Sequence, residues 1–390
     1  MGFYKVHSCC CKEVKVYAGI AAMCMTVSMG VTSAAVENPY AFEFAYTLDV
    51  MSVRQGGLRQ GTALLDNLDL KLTVDTDKVW GLKKGTAFLY VLGNAGEDVN
   101  ARYIGSSQGV DNIEAENTIK VFEAWYEHAY SQSTLRVGLY NLNSEFDSIT
   151  TAGLCINPSH GIGPDYSQSG QNGPSIFPTA SFAIRFASKS ADHTYWQAVI
   201  LDGVPGDPNN PNGTHLQFNR GDGALLALQG GSRSEEGSPL RHWAVGAWYY
   251  TEASTQNAAG NTIQPKSNKG VYALVDHGIN EGLAVYGRIG FADASINQFA
   301  SYLGAGIVWT GIAGRAEDQI GFAVSVANNS ADYISATGNE DREIIFELTY
   351  RNQINTWFAV QPDLQYIVNP GTDPALQDAL LVGARFKATF

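Results

Sequence analysis

From residue 40 onward, apolar and polar positions alternate along the chain with a period of two. Tyr40, Phe42, Phe44, Tyr46, Leu48 and Val50 share one parity, and Glu43, Ala45, Thr47 and Asp49 the other. That period places one side-chain set on each face of an extended strand. The same dyad sets Leu68, Leu70, Leu72 and Val74 against Asp69, Lys71, Thr73 and Asp75. It returns in Phe182, Ile184 and Phe186 against Ser181, Ala183 and Arg185, and near the end in Ile344, Phe346, Leu348 and Tyr350 against Glu343, Glu347 and Thr349. Turn signals separate the runs, among them Gln55-Gly56-Gly57, Asn94-Ala95-Gly96, residues 205–213 and 330–339, and Asn369-Pro370-Gly371. The pattern predicts sixteen strands near 40–52, 64–75, 85–93, 119–130, 134–141, 179–188, 194–202, 222–230, 241–251, 269–277, 282–291, 300–311, 317–327, 341–351, 355–367 and 378–390.

Many alternating strands suit either a soluble sandwich or an outer-membrane barrel with its apolar face outward. Charges recur on the polar parity (Glu43, Asp49, Asp69, Lys71, Glu123, Glu127, Arg136, Arg185, Arg385), which fits a wet lumen. Aromatics fall near strand ends (Trp80, Tyr90, Trp243, Tyr249, Tyr250, Trp357, Tyr366), where interfacial girdles belong. The last strand puts Leu380, Val382, Ala384, Phe386, Ala388 and Phe390 on one face, and its terminal aromatic resembles the recognition signal of bacterial outer-membrane barrels. In lipid every backbone polar group must pair internally, and closure is how strands achieve this. The expected fold is all-β: a transmembrane antiparallel barrel of about sixteen strands.

Composition changes the picture at the N-terminus. Lys5, Lys12 and Lys15 precede an uncharged apolar stretch, residues 16–31, and a small-residue site at 32–35 follows. This order reads as a secretory signal peptide over 1–34, with one barrel domain over 35–390. A membrane anchor fits less well, because the apolar core is short and ends in a cleavage-like site. Cys9, Cys10, Cys11 and Cys24 would leave with the leader, so Cys155 has no internal disulfide partner. Removing three Lys and one Glu takes the formal charge from -13 to about -15. A chain this acidic lacks the basic stripe that nucleic acid demands.

Catalytic motifs are missing. The seven His show no His-Glu-x-x-His spacing, and neither a Gly-x-Ser-x-Gly elbow nor a Walker loop occurs. Cys155 and His160 sit five apart in a Gly/Pro/Ser loop, a weak basis for a thiol nucleophile. Gly304-Ala305-Gly306 lies in a strand and reads as close packing or lumen space. No cofactor or metal is expected.

The segment 143–178 is too long and too rich in Gly, Pro and Asn for a hairpin turn. Its Leu154, Ile162, Ile176 and Phe177 suit a loop folded into the lumen rather than one left in solvent. Here the chain resembles the bacterial carbohydrate-selective porins of the OprB type. The resemblance rests on Gly56-Gly57-Leu58, on Leu68-Asp69-Leu70-Lys71-Leu72-Thr73-Val74-Asp75, and on Trp80-Gly81 with Gly85-Thr86. It continues through Gly138-Leu139-Tyr140, Asn143-Ser144-Glu145-Phe146, and Gly161-Ile162-Gly163-Pro164 to Pro174-Ser175-Ile176-Phe177-Pro178. It ends with Gln361-Pro362-Asp363-Leu364-Gln365-Tyr366-Ile367-Val368-Asn369-Pro370-Gly371 and Gly383-Ala384-Arg385-Phe386. The resemblance implies a sixteen-stranded pore that passes monosaccharides and related polar solutes by diffusion.

Sugar hydroxyls call for charged and amide groups, and sugar C–H faces for aromatic rings. Parity puts Glu123, Trp125 and Glu127 on one face, followed by Arg136 and Arg185 on later strands. With Asp69, Lys71, Glu145, Asp165 and Arg385 these are the expected pore-lining residues. A slip of one residue would turn Trp125 to lipid. The expected partners are small carbohydrate solutes, outer-membrane lipid and lipopolysaccharide, and the barrel-assembly machinery acting on Phe390; monomer and trimer both stay open. Two alternatives stand beside the sugar porin: a pore for organic acids or polyols, and a barrel enzyme or adhesin with a plugged lumen.

Overall fold

A computed structural model describes residues 38–190, 192–234, 240–312 and 314–390. The expected leader lies outside them. The described chain closes into one antiparallel sixteen-stranded barrel, each strand pairing with its sequence neighbours and β1 with β16. The strands are β1 (Tyr40–Gly57), β2 (Gly61–Asp75), β3 (Gly85–Gly96), β4 (Thr118–Ala129), β5 (Ser133–Tyr140), β6 (Ser181–Lys189), β7 (Thr194–Asp202) and β8 (Ala224–Arg233). They continue as β9 (Arg241–Gln256), β10 (Thr262–Asn280), β11 (Leu283–Ala292), β12 (Phe299–Ile312), β13 (Arg315–Asn329), β14 (Arg342–Asn355), β15 (Phe358–Val368) and β16 (Gln377–Thr389). Each expected strand has its counterpart. The largest shift is at β10, which begins seven residues before its expected start at 269 because the polar run Gln264-Pro265-Lys266-Ser267-Asn268 extends β9 and β10 beyond the apolar band.

The dyad is realised with its apolar face outward. Ile184, Ile200, Leu228, Val245, Phe322 and Leu364 are exposed on the outer face, while Asp49, Arg185, Gln229, Asp276, Arg288, Glu347 and Gln365 are buried inside. Two of the aromatics expected in the girdles are corrected. Tyr90 points inward and donates to Asp69 Oδ1 at 2.6 Å, and the buried Tyr250 donates to the Ser169 carbonyl at 3.2 Å. Both sit on the inward parity of their strands, Tyr90 with Leu92 and Tyr250 with Trp248, so proximity to a strand end misplaced them. Trp80, Trp243, Tyr249, Trp357 and Tyr366 remain exposed.

The three longest connections, 97–117, 141–180 and 203–223, lie at one end of the barrel, and most connections at the other end are short. Two of the long loops turn inward: 141–180, as expected, and 97–117, which the sequence did not announce. The first makes a gap in the wall. β5 pairs with β4 only from Ala124↔Leu139 to Ala129↔Thr134, because the chain dives into the lumen after Tyr140. The upper part of β4 would then expose unpaired backbone, which is costly. Thr214, from loop 203–223, closes the gap: its Oγ1 accepts from Val121 N at 2.8 Å and donates to Val121 O at 2.9 Å. Gly213 N donates to Thr118 Oγ1 at 2.9 Å, and Lys120 Nζ to the Pro211 carbonyl at 3.2 Å. A bulge in β4, where Tyr90 faces Glu123 but Val91 faces Val121, turns both Phe122 and Glu123 inward.

Gly304 and Gly306 face the interior beside large neighbours. A Cβ at Gly306 would lie 2.4 Å from the Tyr286 ring, and one at Gly304 2.5 Å from the Tyr302 hydroxyl. Close packing is therefore what this pair provides.

Candidate functional site: the constricted lumen

Loop 141–180 crosses the barrel and is tied to seven strands of the far wall. Asp147 N donates to Gln229 Oε1 on β8 at 2.9 Å, and Thr151 N to Asp276 Oδ2 on β10 at 3.0 Å. Ile156 N and Asn157 N donate to the Glu347 carboxylate on β14 at 2.6 and 3.2 Å. On β15, Gln361 Nε2 donates to the Leu154 carbonyl at 2.7 Å; on β12, Tyr302 donates to the Ser159 carbonyl at 2.8 Å. Tyr166 lies flat on Trp248 of β9, centroids 5.0 Å apart with a 3° interplanar angle. The strongest tie is to β11. Arg288 Nη2 and Nε reach Asp147 at 2.7 and 3.0 Å, and its Nη1 and Nη2 hold Asp165. All three side chains are buried.

Loop 97–117 is fastened to β14–β16 in the same way. Glu343 accepts from Ser106 Oγ, Ser107 N and Gln108 N at 2.8, 3.0 and 3.0 Å. Arg385 pairs with its ladder partner Asp49 at 2.6 Å and reaches back to Asp111 and Asn112 at 3.2 and 2.7 Å. Within the loop, burial and the adjoining Asp98 push the Glu114 carboxyl up to about 9, so it stays protonated at neutral pH and bonds to Asp98. Asn112 Nδ2 donates to the Cys155 carbonyl at 3.1 Å, and Asn157 Nδ2 to the Gly109 carbonyl at 2.9 Å, joining the two loops.

The inserted loops are tied chiefly to β8–β12 and β14–β16, and the inward side chains that keep open surface, Lys71, Glu127 and Arg136, stand on β2, β4 and β5. On that side Glu127, Arg136 and Arg185 form one row across β4, β5 and β6: Glu127 faces Arg136, and Arg136 faces Arg185, in the ladder. Two guanidinium groups directly opposite each other repel. The repulsion is relieved by Glu127 at one end and by Glu145, the first carboxylate of the long loop, above. Arg136 lies 3.0 Å from Glu127 and 3.6 Å from Glu145. Arg185 lies 2.6 Å from Glu127 and 2.7 Å from Glu145. These four side chains balance, two cations against two anions, with the buried Glu123 adjoining Arg136 and Glu145.

Trp125 faces inward, but both of its faces are occupied. Phe88 stacks on one at 4.9 Å, and the Arg136 guanidinium covers the other at 3.8 Å. Its indole Nε1 donates to Glu123 at 3.2 Å. The tryptophan therefore orients Arg136 rather than offering a bare aromatic platform.

The ten expected pore-lining residues all point into the barrel, in two classes. Lys71, Glu145, Glu127 and Arg136 keep 34, 26, 18 and 13% of their side-chain surface open, and Asp69 and Trp125 are half-buried. Glu123, Asp165 and Arg185 are buried, and Arg385 is held among Asp49, Asp111 and Asn112. Sequence reasoning did not single out Asp147, Arg288, Asp276, Asn157 or Asp111. Arg288 carried a parity signal, since Ile289 and Phe291 alternate with it. A polar cavity of about 610 Å³ opens between the loop and the short-turn rim, lined by Gln132, Glu145, Lys189, Tyr195, Gln197 and Arg233.

A sixteen-stranded barrel with a loop-narrowed, charge-lined lumen defines a porin. The particular family follows from comparison: the sequence matches the carbohydrate-selective porin family OprB over residues 59–390. The chain belongs to that family, and it is an outer-membrane sugar porin. It is 21% identical to Porin B of Pseudomonas aeruginosa over 406 residues, covering 91% of this chain and 88% of the relative. Its fold matches the high-pH structure of Pseudomonas putida OprB with a TM-score of 0.76 at 17% identity, covering 90 and 94% of the two chains. The DcaP channel of Acinetobacter baumannii shares the fold at a TM-score of 0.56 and 10% identity, over 90 and 97%.

Proposed function

We propose that neutral monosaccharides cross this porin along the β1–β6 side of the lumen, past the row Glu127, Arg136 and Glu145. The observation that carries this reading is the charge balance of the row. Two cations and two anions paired at 2.6 to 3.6 Å leave little net field to gather ions. Their outer lone pairs and N–H groups still suit the hydroxyls of a polyhydroxy solute. Lys71 and Asp69 extend the same mixed lining, while Glu123, Arg185 and Arg385 hold its frame; Asp165 anchors the loop on the far side.

Swelling of liposomes that hold the purified barrel tests this. Monosaccharides and uncharged polyols should enter faster than organic acids of similar size. Arg136→Gln, which leaves Arg185 to neutralise only one of two carboxylates, should slow sugar entry severalfold and shift the reversal potential toward cations. Faster entry of organic acids than sugars by the unaltered protein would reverse the assignment.

Export and assembly fit the same reading. A leader over 1–34 delivers the chain to the periplasm, lipid and lipopolysaccharide surround the apolar band, and the assembly machinery reads Phe390 on the last strand. The mature protein should begin at Ala35 or Val36. N-terminal sequencing of the membrane fraction checks this, and Met1 or Gly2 there would refute it.

A further inference from the structure

Cys155, His160 and Glu347 converge inside the barrel, and the transport reading uses only the backbone tie to Glu347. One atom from each (Sγ, an imidazole nitrogen, a carboxylate oxygen) falls within 4.8 Å of the others, and all three residues are buried. His160 Nε2 lies 3.9 Å from Glu347 Oε2. We propose that these three side chains bind one divalent transition-metal ion, Zn²⁺ by the chemistry of the donors, pinning the constriction loop to β14.

Four observations carry the site. His160 is buried, and its Nε2 has no hydrogen-bond partner among the described residues. A neutral imidazole nitrogen left orphaned in a packed interior costs free energy that a metal bond would recover. Its other nitrogen, Nδ1, is 3.0 Å from the Tyr286 hydroxyl, the outer contact that fixes a metal-binding imidazole. The same hydroxyl lies 3.4 Å from Cys155 Sγ, so one tyrosine orients both soft donors.

Glu347 is aimed by the loop itself, through Ile156 N and Asn157 N. Asp363, its buried neighbour, hydrogen-bonds to it, a contact between two carboxyl groups that requires a shared proton. Among the described residues, neither Glu347 nor Asp363 forms a salt bridge with Lys or Arg; the nearby Arg385 is engaged by Asp49 and Asp111. A metal ion bound here would take the place of that shared proton as the countercharge.

The geometry is close to what zinc needs. With bonds of about 2.0 to 2.3 Å, tetrahedral ligand atoms sit roughly 3.3 to 3.7 Å apart. The present spacing, up to 4.8 Å, has to contract by about 1 Å for all three to ligate one ion. Thiolate, imidazole and carboxylate together select a borderline-soft ion over Mg²⁺ or Ca²⁺. Binding releases the thiol proton to solvent and leaves the proton shared by Glu347 and Asp363 on Asp363 or in solvent, with no redox change. Cys155 also accepts, through its carbonyl, the bond from Asn112 that joins the two inserted loops. A metal there would stiffen both.

Co²⁺ is the probe for the test, added to tag-free, detergent-folded barrel stripped of metal during refolding. One equivalent should bind and give a sulfur-to-Co²⁺ charge-transfer band in the near ultraviolet, and stoichiometric Zn²⁺ should bleach it. C155S should lose the band, and H160Q should bind at least tenfold more weakly. Zn²⁺ should raise the unfolding temperature of the unaltered barrel but not that of C155S. Failure of the unaltered barrel to bind stoichiometric metal would overturn the proposal, and so would binding that C155S leaves unchanged. Because the unaltered protein carries the decisive reading, poor folding of a variant would not protect the idea.

Discussion

Replacing Arg288 with Met should widen the channel while leaving the barrel wall standing. Arg288 is the single guanidinium between Asp147 and Asp165, and both carboxylates are buried with it. Removing one partner of such a group leaves uncompensated charge, at a cost of about 3–5 kcal/mol. The wall does not depend on the contact, since β11 keeps its ladders to β10 and β12. The cost falls on the loop, which would swing its acidic segment toward water. Single-channel conductance in planar bilayers should rise, its open-state noise should increase, and discrimination between mono- and oligosaccharides should flatten.

Two further variants separate electrostatics from packing. Arg288→Lys should rescue only partly, because one ammonium cannot serve two carboxylates with the fork of a guanidinium. Adding Asp147→Asn and Asp165→Asn to Arg288→Met should restore low conductance, because neutral amides no longer need the cation. Unchanged conductance in Arg288→Met would show that the loop is held by its other ties alone.

How far the sequence could be read depends on the range of the physics at each position. Alternation is a local property, so Glu43 to Asp49 or Leu68 to Val74 announce their own faces, and the strands were legible from them. The inward turn of 141–180 was also legible, because Leu154 and Ile162 are apolar in a loop too long for a hairpin. Loop 97–117 was not: its anchors Val99, Ile104 and Val110 are scattered among polar residues, and its fastening to Glu343 spans more than two hundred positions.

Among the expected pore residues, parity gave direction correctly but could not give depth. Arg185 and Arg136 look alike in sequence, yet Glu145 and Thr134 close over Arg185 and leave Arg136 partly open. Trp125 shows the same limit. Its inward direction was readable, but its covering by Phe88 and Arg136 depends on strand neighbours on both sides. The bulge that brings Phe122 and Glu123 inward together interrupts the dyad, and strict alternation has no place for it.

Deleting Phe390 should lower the yield of folded barrel severalfold without lowering synthesis. Its backbone makes the outermost pair of the closing seam: Phe390 N donates to Phe44 O at 2.8 Å, and Phe44 N donates to Phe390 O at 3.1 Å. Its ring stacks on Trp357 with a 5.6 Å centroid separation and touches Phe44 at 5.7 Å, uniting β1, the β14–β15 turn and the end of β16. Each backbone group left unpaired in an apolar surrounding costs several kcal/mol, and closure is the step at which both edges of the sheet lose theirs. Aromatic pairs of this kind add about 0.5–1.5 kcal/mol each beyond the area they bury. The loss bears on whether the barrel can close more than on what passes through it, since Phe390 faces away from the lumen row. Heat-modifiable mobility on gels measures the folded fraction, with immunoblotting of total protein as the measure of synthesis. Phe390→Tyr, which keeps the ring and both backbone bonds, should fold normally. If the deletion variant also reached full folded yield, the seam would be closed by the Asp49–Arg385 pair and the inner ladder without help from its last residue.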